Sequence, residues 1–415
     1  MTRGAWALAL TAAIGVFAGS FLLLHAGWYA HGGLTDIPVY QNYAGLIRHG
    51  HTPYADFPVE YPPAALPAFV VPTFMPWSYA TSFAVLMFAC GVGCLVAAAF
   101  VLDSVDASGA RALLALGLVA VAPVALGTLF DTRFDLWPAL LAMVAVAALL
   151  RERPWLAGIL LGFAAAAKLW PLVLAPIGLV YLWRRLGRDG ALAGALSFAA
   201  GAAAWVVPFA LVAPAGVWHS LTVQLRRPLQ VESLGAALLM AAHHIGGLSL
   251  TTITSHGSQN LSGSLADATG AATTALQIAV LLGVWIAYAL QREPTRETTL
   301  LACVAAVAAF VAFGKVFSPQ FLIWLVPLVP LVRGRRGLAA SALLGAALVL
   351  TDAWFSSHYW PLALHYATPW SWLLLLRDLA IVVLAVMLIR RTAPSDEVRG
   401  THRARLAALE AIRQP

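Results

Sequence analysis

Charge is scarce in this chain. Asp, Glu, Lys and Arg together make up 10% of 415 residues, against about a quarter in an ordinary soluble domain, which excludes a water-solvated globular fold. Lysine is almost absent: Lys168 and Lys315 are the only two among 25 basic residues. The three cysteines, Cys90, Cys94 and Cys303, all lie in apolar runs without metal-ligand company, so they read as small packing residues. No Walker loop, dinucleotide glycine fingerprint or HExxH zinc helix occurs, which removes support for soluble-nucleotide and zinc-protease chemistry. Nowhere is there a polar stretch long enough for a separate soluble catalytic domain.

What fills the chain instead is hydrocarbon. Hydrophobic residues account for 61% and the mean hydropathy is +0.82, with apolar runs that match a bilayer core of roughly 30 Å. The run after Arg3 is too long for a signal-peptide core and has no convincing cleavage site, so it reads as a retained first helix. Apolar runs predict helices at 5-24, 79-102, 112-129, 136-150, 155-167, 169-183, 191-212, 274-290, 298-313, 319-332, 338-353 and 371-389. The expected fold is therefore an all-α polytopic membrane protein of about 12 transmembrane helices with both termini on one side. On that side fall Arg3, Arg111, Arg151, Arg153, Arg184, Arg185, Arg188, Arg292, Arg296, Arg333, Arg335, Arg336, Arg390 and Arg391, which makes it the cytoplasm. The net charge of +7 is thus a topology signal and not a nucleic-acid surface. A transmembrane catalytic domain spans 1-391, with outer segments 25-78, 214-273 and 354-370 forming the site, and 392-415 is a cytoplasmic tail. Within 214-273, an interfacial helix is expected near 229-248 and a Ser/Thr/Gly-rich flexible loop at 249-264.

Polar chemistry gathers on the opposite, extracytoplasmic face. Every histidine except His402 is predicted there, as are both lysines. In the first long segment Asp36, Tyr40, His51, Glu60 and Tyr61 alternate with prolines. A carboxylate at the membrane boundary can take a proton from a sugar hydroxyl, and aromatic rings stack on sugar faces. Asp36 has a second reading as the N-cap of a short helix beginning near Pro38. Arg133 and Asp135 sit among aromatics, Lys168 tips a tight hairpin, and Lys315 follows a glycine at a helix start that continues to Pro319 and Gln320. A lone lysine between apolar helices either snorkels to the interface or finds an anion. His358 stands in the most aromatic stretch, and Arg377-Asp378 is a charge pair inside the last helix.

In their order and spacing these motifs resemble the multi-spanning lipid-linked-sugar glycosyltransferases of the GT-C superfamily. They are most similar to glycosyltransferase family 87, which includes actinobacterial polyprenyl-phosphate-mannose-dependent mannosyltransferases. The resemblance implies a polyprenyl-monophosphate sugar donor, with mannose as the sugar, and a glycolipid or polysaccharide acceptor in cell-envelope glycolipid biosynthesis. It implies Asp36 as general base of an inverting displacement at the outer face of the membrane. On that footing Lys168, Lys315, Arg133 and Arg377 are assigned to the donor phosphate. Glu60, Tyr61, His51, Tyr40, His358 and Gln320 are assigned to sugar or acceptor. No cofactor, metal or nucleic acid is expected; the partners are the donor, the acceptor and membrane lipid. Alternatives are a transporter or flippase of a lipid-linked sugar, and an arabinosyltransferase or other lipid-carrier-dependent transferase. The absence of an evident inverted repeat and the rim position of the charges favour the enzyme.

Overall fold

A computed structural model describes residues 2-30 and 34-390; His31, Arg391 and the expected tail 392-415 lie outside them. The chain is a bundle of apolar helices with its irregular segments gathered at one end. The helix α1 (Arg3–Leu23) opens it, and α2 (Ile37–Arg48) and α3 (Leu66–Val70) lie in the first long connection. Then come α4 (Tyr79–Ser104), α5 (Gly109–Leu126), the single turn α6 (Leu129–Thr132), α7 (Leu136–Leu150), α8 (Pro154–Ala167) and α9 (Ala175–Val212). Gly187 interrupts α9 with a φ of 71°, a conformation that glycine adopts at little steric cost, so the element is two helices that fold back on each other at this glycine, with Leu182 against Gly194. All twelve expected helical segments are found, 319-332 as short 3-10 and α pieces that include α14 below. Among the described residues eight helices are long and apolar enough to cross a membrane, while Leu136–Leu150, Pro154–Ala167 and Pro319–Leu331 are shorter apolar elements.

The second long connection departs from expectation. After α10 (Pro214–Leu225) the chain forms β1 (Leu229–Gln230), α11 (Leu234–Gly246), β2 (Thr251–Ser255) and β3 (Ser258–Ser262). The stretch 249-264 is therefore an antiparallel hairpin and not a loop, with Leu261 paired to Thr252 on one side and to Leu229 of β1 on the other. His256 and Gly257 both have positive φ, 54° and 65°, the turn geometry that matches strand twist in a two-residue hairpin. Beyond the hairpin run α12 (Ser264–Ala289), α13 (Arg296–Phe313), α14 (Leu322–Leu325), α15 (Gly334–His365) and α16 (Trp370–Ile389). Residues 354-365, expected in a loop, extend α15 past a break at His358.

Close packing follows from small side chains, as expected where lipid gives no hydrophobic drive for helix association. A methyl added at Gly162 of α8 would collide with the Phe198 carbonyl of α9, and one at Gly201 with the Ile159 carbonyl. The alanine-rich helix α13 is the buried centre, with Val304, Ala306, Val307, Ala308 and Ala309 inaccessible. The two ends of the bundle differ in chemistry. At one, arginines meet carboxylates in Arg111–Glu297 (2.5 Å), Arg151–Asp103 (2.9 Å) and Arg185–Glu152 (2.7 Å). At the other, the two long connections and the end of α15 enclose a cavity.

Candidate active site

The cavity has a volume of about 650 Å³ and opens at the end of the bundle where α2, α10, the three-stranded sheet and the end of α15 meet. Asp36, Glu60, Tyr61, Arg133, Lys168, Lys315 and Gln320 all line it. Asp36 holds the N-cap position of α2 but makes no side-chain cap hydrogen bond. Its carboxylate instead forms an ion pair with Arg133 and accepts a hydrogen bond from the Tyr40 hydroxyl at 3.2 Å. Two partners thus fix its orientation, while its side chain remains 30% exposed to the cavity. Tyr40 itself is buried beneath, stacked on Phe69 at 4.5 Å, and reaches a ligand only through Asp36. Arg133 also donates to the Leu34 carbonyl at 3.1 Å.

The two lysines differ in their commitments. Lys168 does not snorkel: its ammonium lies 2.6 Å from Asp135, whose carboxylate also accepts the Trp324 indole N–H at 2.6 Å. Burial pulls the Lys168 pKa below the usual lysine value, against the pull of Asp135. Among the described residues Lys315 donates only to a neutral group, the Leu225 carbonyl at 2.9 Å. A second cation without a carboxylate partner among the described residues, Arg227, also faces the cavity. It donates to Gln224 and to the His256 carbonyl, and its buried Nε has no partner among the described residues.

Besides Tyr40, three expected site residues do not line the cavity. His51 is exposed and is not among the lining residues. His358 stacks on Trp370 with ring centres 3.7 Å apart and shares a hydrogen bond with Ser357, so α15 turns it away from the cavity. Arg377 is fully buried behind the wall, ion-paired with Asp378, stacked over Phe317 at 3.8 Å, and donating to the Glu232 carbonyl at 2.8 Å. It supports the wall and does not face the space within. Sequence reading passed over Arg227, Glu232, Gln230, Gln259 and Tyr359, all of which line the cavity. The available signal was Glu232 itself, an isolated carboxylate in an otherwise uncharged stretch before an apolar helix.

The family model for glycosyltransferase family 87 matches residues 59–319. The chain belongs to this family. In this family 87 glycosyltransferase the matched span contains Glu60, Arg133, Lys168, Arg227 and Lys315, and Asp36 precedes it. No curated protein matches the chain. Membership makes the protein a transferase acting on a sugar donor and an acceptor, and sets aside the transporter reading. The site thus offers a glycosyltransferase an oriented carboxylate, two cations held by neutral partners, and an aromatic wall of Tyr61, Trp324 and Trp360 in one enclosure.

Proposed function

We propose that the enzyme transfers mannose from a polyprenyl monophosphate to a hydroxyl of a glycolipid or polysaccharide acceptor, with inversion, at the extracytoplasmic face. The observation that carries this reading is the shared cavity of Asp36 with Lys315 and Arg227. The acceptor hydroxyl gives its proton to Asp36 as its oxygen bonds to the anomeric carbon. The bond from that carbon to the phosphate oxygen breaks, and polyprenyl phosphate leaves carrying negative charge. Lys315 and Arg227 neutralise that charge through charge-assisted contacts. Lys168 and Arg133, assigned at first to the phosphate, act through the carboxylates they already hold; Arg133 aims Asp36. Phe310, Leu172 and Val173 make the adjoining wall apolar, which suits the first isoprene units.

Counting Gly187 as a break, and Leu136–Leu150, Pro154–Ala167 and Pro319–Leu331 of the five shorter apolar helices as crossings, gives twelve passes. The arginine-rich end is then cytoplasmic by the positive-inside rule, and the cavity faces out. The reading is tested with purified protein, synthetic polyprenyl-phosphate mannose, arabinose and glucose, a nucleotide-activated mannose, and a panel of glycolipid acceptors, with products weighed by mass spectrometry. Mannosyl transfer from the polyprenyl donor alone is expected. Transfer only from a nucleotide sugar overturns the donor assignment, and pentose transfer overturns the sugar.

A further inference from the structure

The wall formed by β1 and the end of α15 carries polar groups that the transfer chemistry above leaves unused. Glu232 is 3% exposed and lines the cavity. Among the described residues its Oε2 has no hydrogen-bond partner, and the same holds for Oε1 of Gln230 two residues earlier. Tyr359 of α15 faces the Glu232 carboxylate, and Gln259 of β3 and Trp360 line the same side. An unpartnered buried carboxylate oxygen is costly unless a ligand satisfies it. Burial outweighs a hydrogen bond from the backbone, the nearby Arg377 and Arg227 and the Tyr359 hydroxyl, and pushes the Glu232 carboxyl up to about 7. The group can therefore accept a hydrogen bond or, when protonated, donate one.

The wall is built to hold this group still. The Arg377 guanidinium, itself buried, clamps the Glu232 backbone carbonyl. The Gln230 N–H donates to the Lys315 carbonyl at 3.0 Å, and the Gln230 side chain reaches Ser318 at 3.4 Å. The polar shelf is thereby stitched to the loop bearing the cation assigned to the leaving phosphate. A sugar esterified to that phosphate lies within a bond or two of it, which brings its hydroxyls within reach of a shelf in the same cavity, while Asp36 serves the attacking side. Resting on the reaction proposed above, we infer that Glu232, with Gln230 and Tyr359, binds hydroxyls of the donor sugar and sets which sugar is accepted.

Glu232→Gln keeps size and hydrogen bonding but removes the acceptor carboxylate, and Tyr359→Phe removes its neighbour's hydroxyl. Binding of polyprenyl-phosphate mannose and of sugar-free polyprenyl phosphate is followed by quenching of tryptophan fluorescence, beside turnover with single-deoxy mannosyl donors. Glu232→Gln is expected to weaken the sugar-bearing lipid about ten- to hundredfold and to leave the sugar-free lipid unchanged, which also shows an intact cavity. One deoxy donor should lose little further on the variant, because the hydroxyl and the carboxylate are removed from the same contact. Equal weakening of both lipids assigns Glu232 a structural role and overturns the inference. So does a variant that discriminates among deoxy donors as the wild type does. Failure of the wild type to transfer from any polyprenyl donor overturns the reaction itself, whereas normal wild-type transfer with an unaffected variant overturns the sugar shelf alone.

Discussion

At the scale of single residues the site is organised by which anion each cation already holds. Asp36 is exposed enough to meet a hydroxyl and is aimed by Arg133 and Tyr40. Asp36→Asn should lower turnover by at least about 100-fold, as for loss of a general base, with donor binding retained; single-turnover kinetics check it, and near-normal rates remove Asp36 from the mechanism. The lysines should part company. Lys315→Met should weaken donor binding by about ten- to hundredfold while thermal unfolding in detergent stays unchanged. Lys168→Met strands the Asp135 carboxylate, whose side chain is 1% exposed, so it should cost about 3–5 kcal/mol of stability, visible as a lowered melting temperature. Asp131 supplies a test with pH. Burial pushes its carboxyl up to about 7; its Oδ2 lies 3.7 Å from His25 Nε2, and its Oδ1 has no partner among the described residues. The folded state therefore holds the proton more tightly than the unfolded chain. That contribution is complete below about pH 4 and is lost as pH rises through about 7. Asp131→Asn should leave the melting temperature unchanged at pH 4 and raise it at pH 8, and the opposite order would contradict the assignment.

Among elements, the hairpin of β2 and β3 does most to shape the cavity. Ser258, Gln259 and Gly257 line it, and β3 is pinned between β2 and the distant β1. Gly257 has a φ of 65° and points its α-carbon at the Glu60 carboxylate, which an added Cβ would meet at 3.2 Å. Valine there combines a left-handed backbone with a branched side chain, costing about 1–2 kcal/mol. Gly257→Val should lower both the melting temperature and turnover, whereas Gly247→Val, also at positive φ but with open space around its α-carbon, should lower stability alone. Equal kinetics for the two variants would mean that the turn does not shape the site.

For the whole molecule, the separation of arginines from the cavity makes orientation testable. Cys90, Cys94 and Cys303 are all buried, so labelling by a membrane-impermeant thiol reagent starts from a low background. Ala55 on the cavity end and Asp189 at the opposite end are both exposed. Ala55→Cys should be labelled in intact cells, and Asp189→Cys only after permeabilisation. The reverse pattern would place the cavity in the cytoplasm and separate it from any donor on the outer leaflet.

Much of this architecture was legible in the chain before folding. Helix positions followed because apolar length is a local property set against a bilayer of fixed thickness, and the arginine bias is equally local. The motifs around Arg133, Lys168 and Lys315 were visible, and the fold does bring them to one cavity. The 249-264 hairpin was hidden because its Ser, Thr and Gly composition mimics a linker, and its ordering depends on β1 far upstream. Nor could local pattern tell that Lys168 meets Asp135 while Lys315 meets only a carbonyl, or that Arg377 supports Glu232 from 145 residues away. Hydrophobicity and charge chose the solvent and the ends of each helix. Only the packed bundle decided which buried charges were neutralised and which were left facing the cavity, because pairing between distant residues is set by how helices stack and not by their order in the chain.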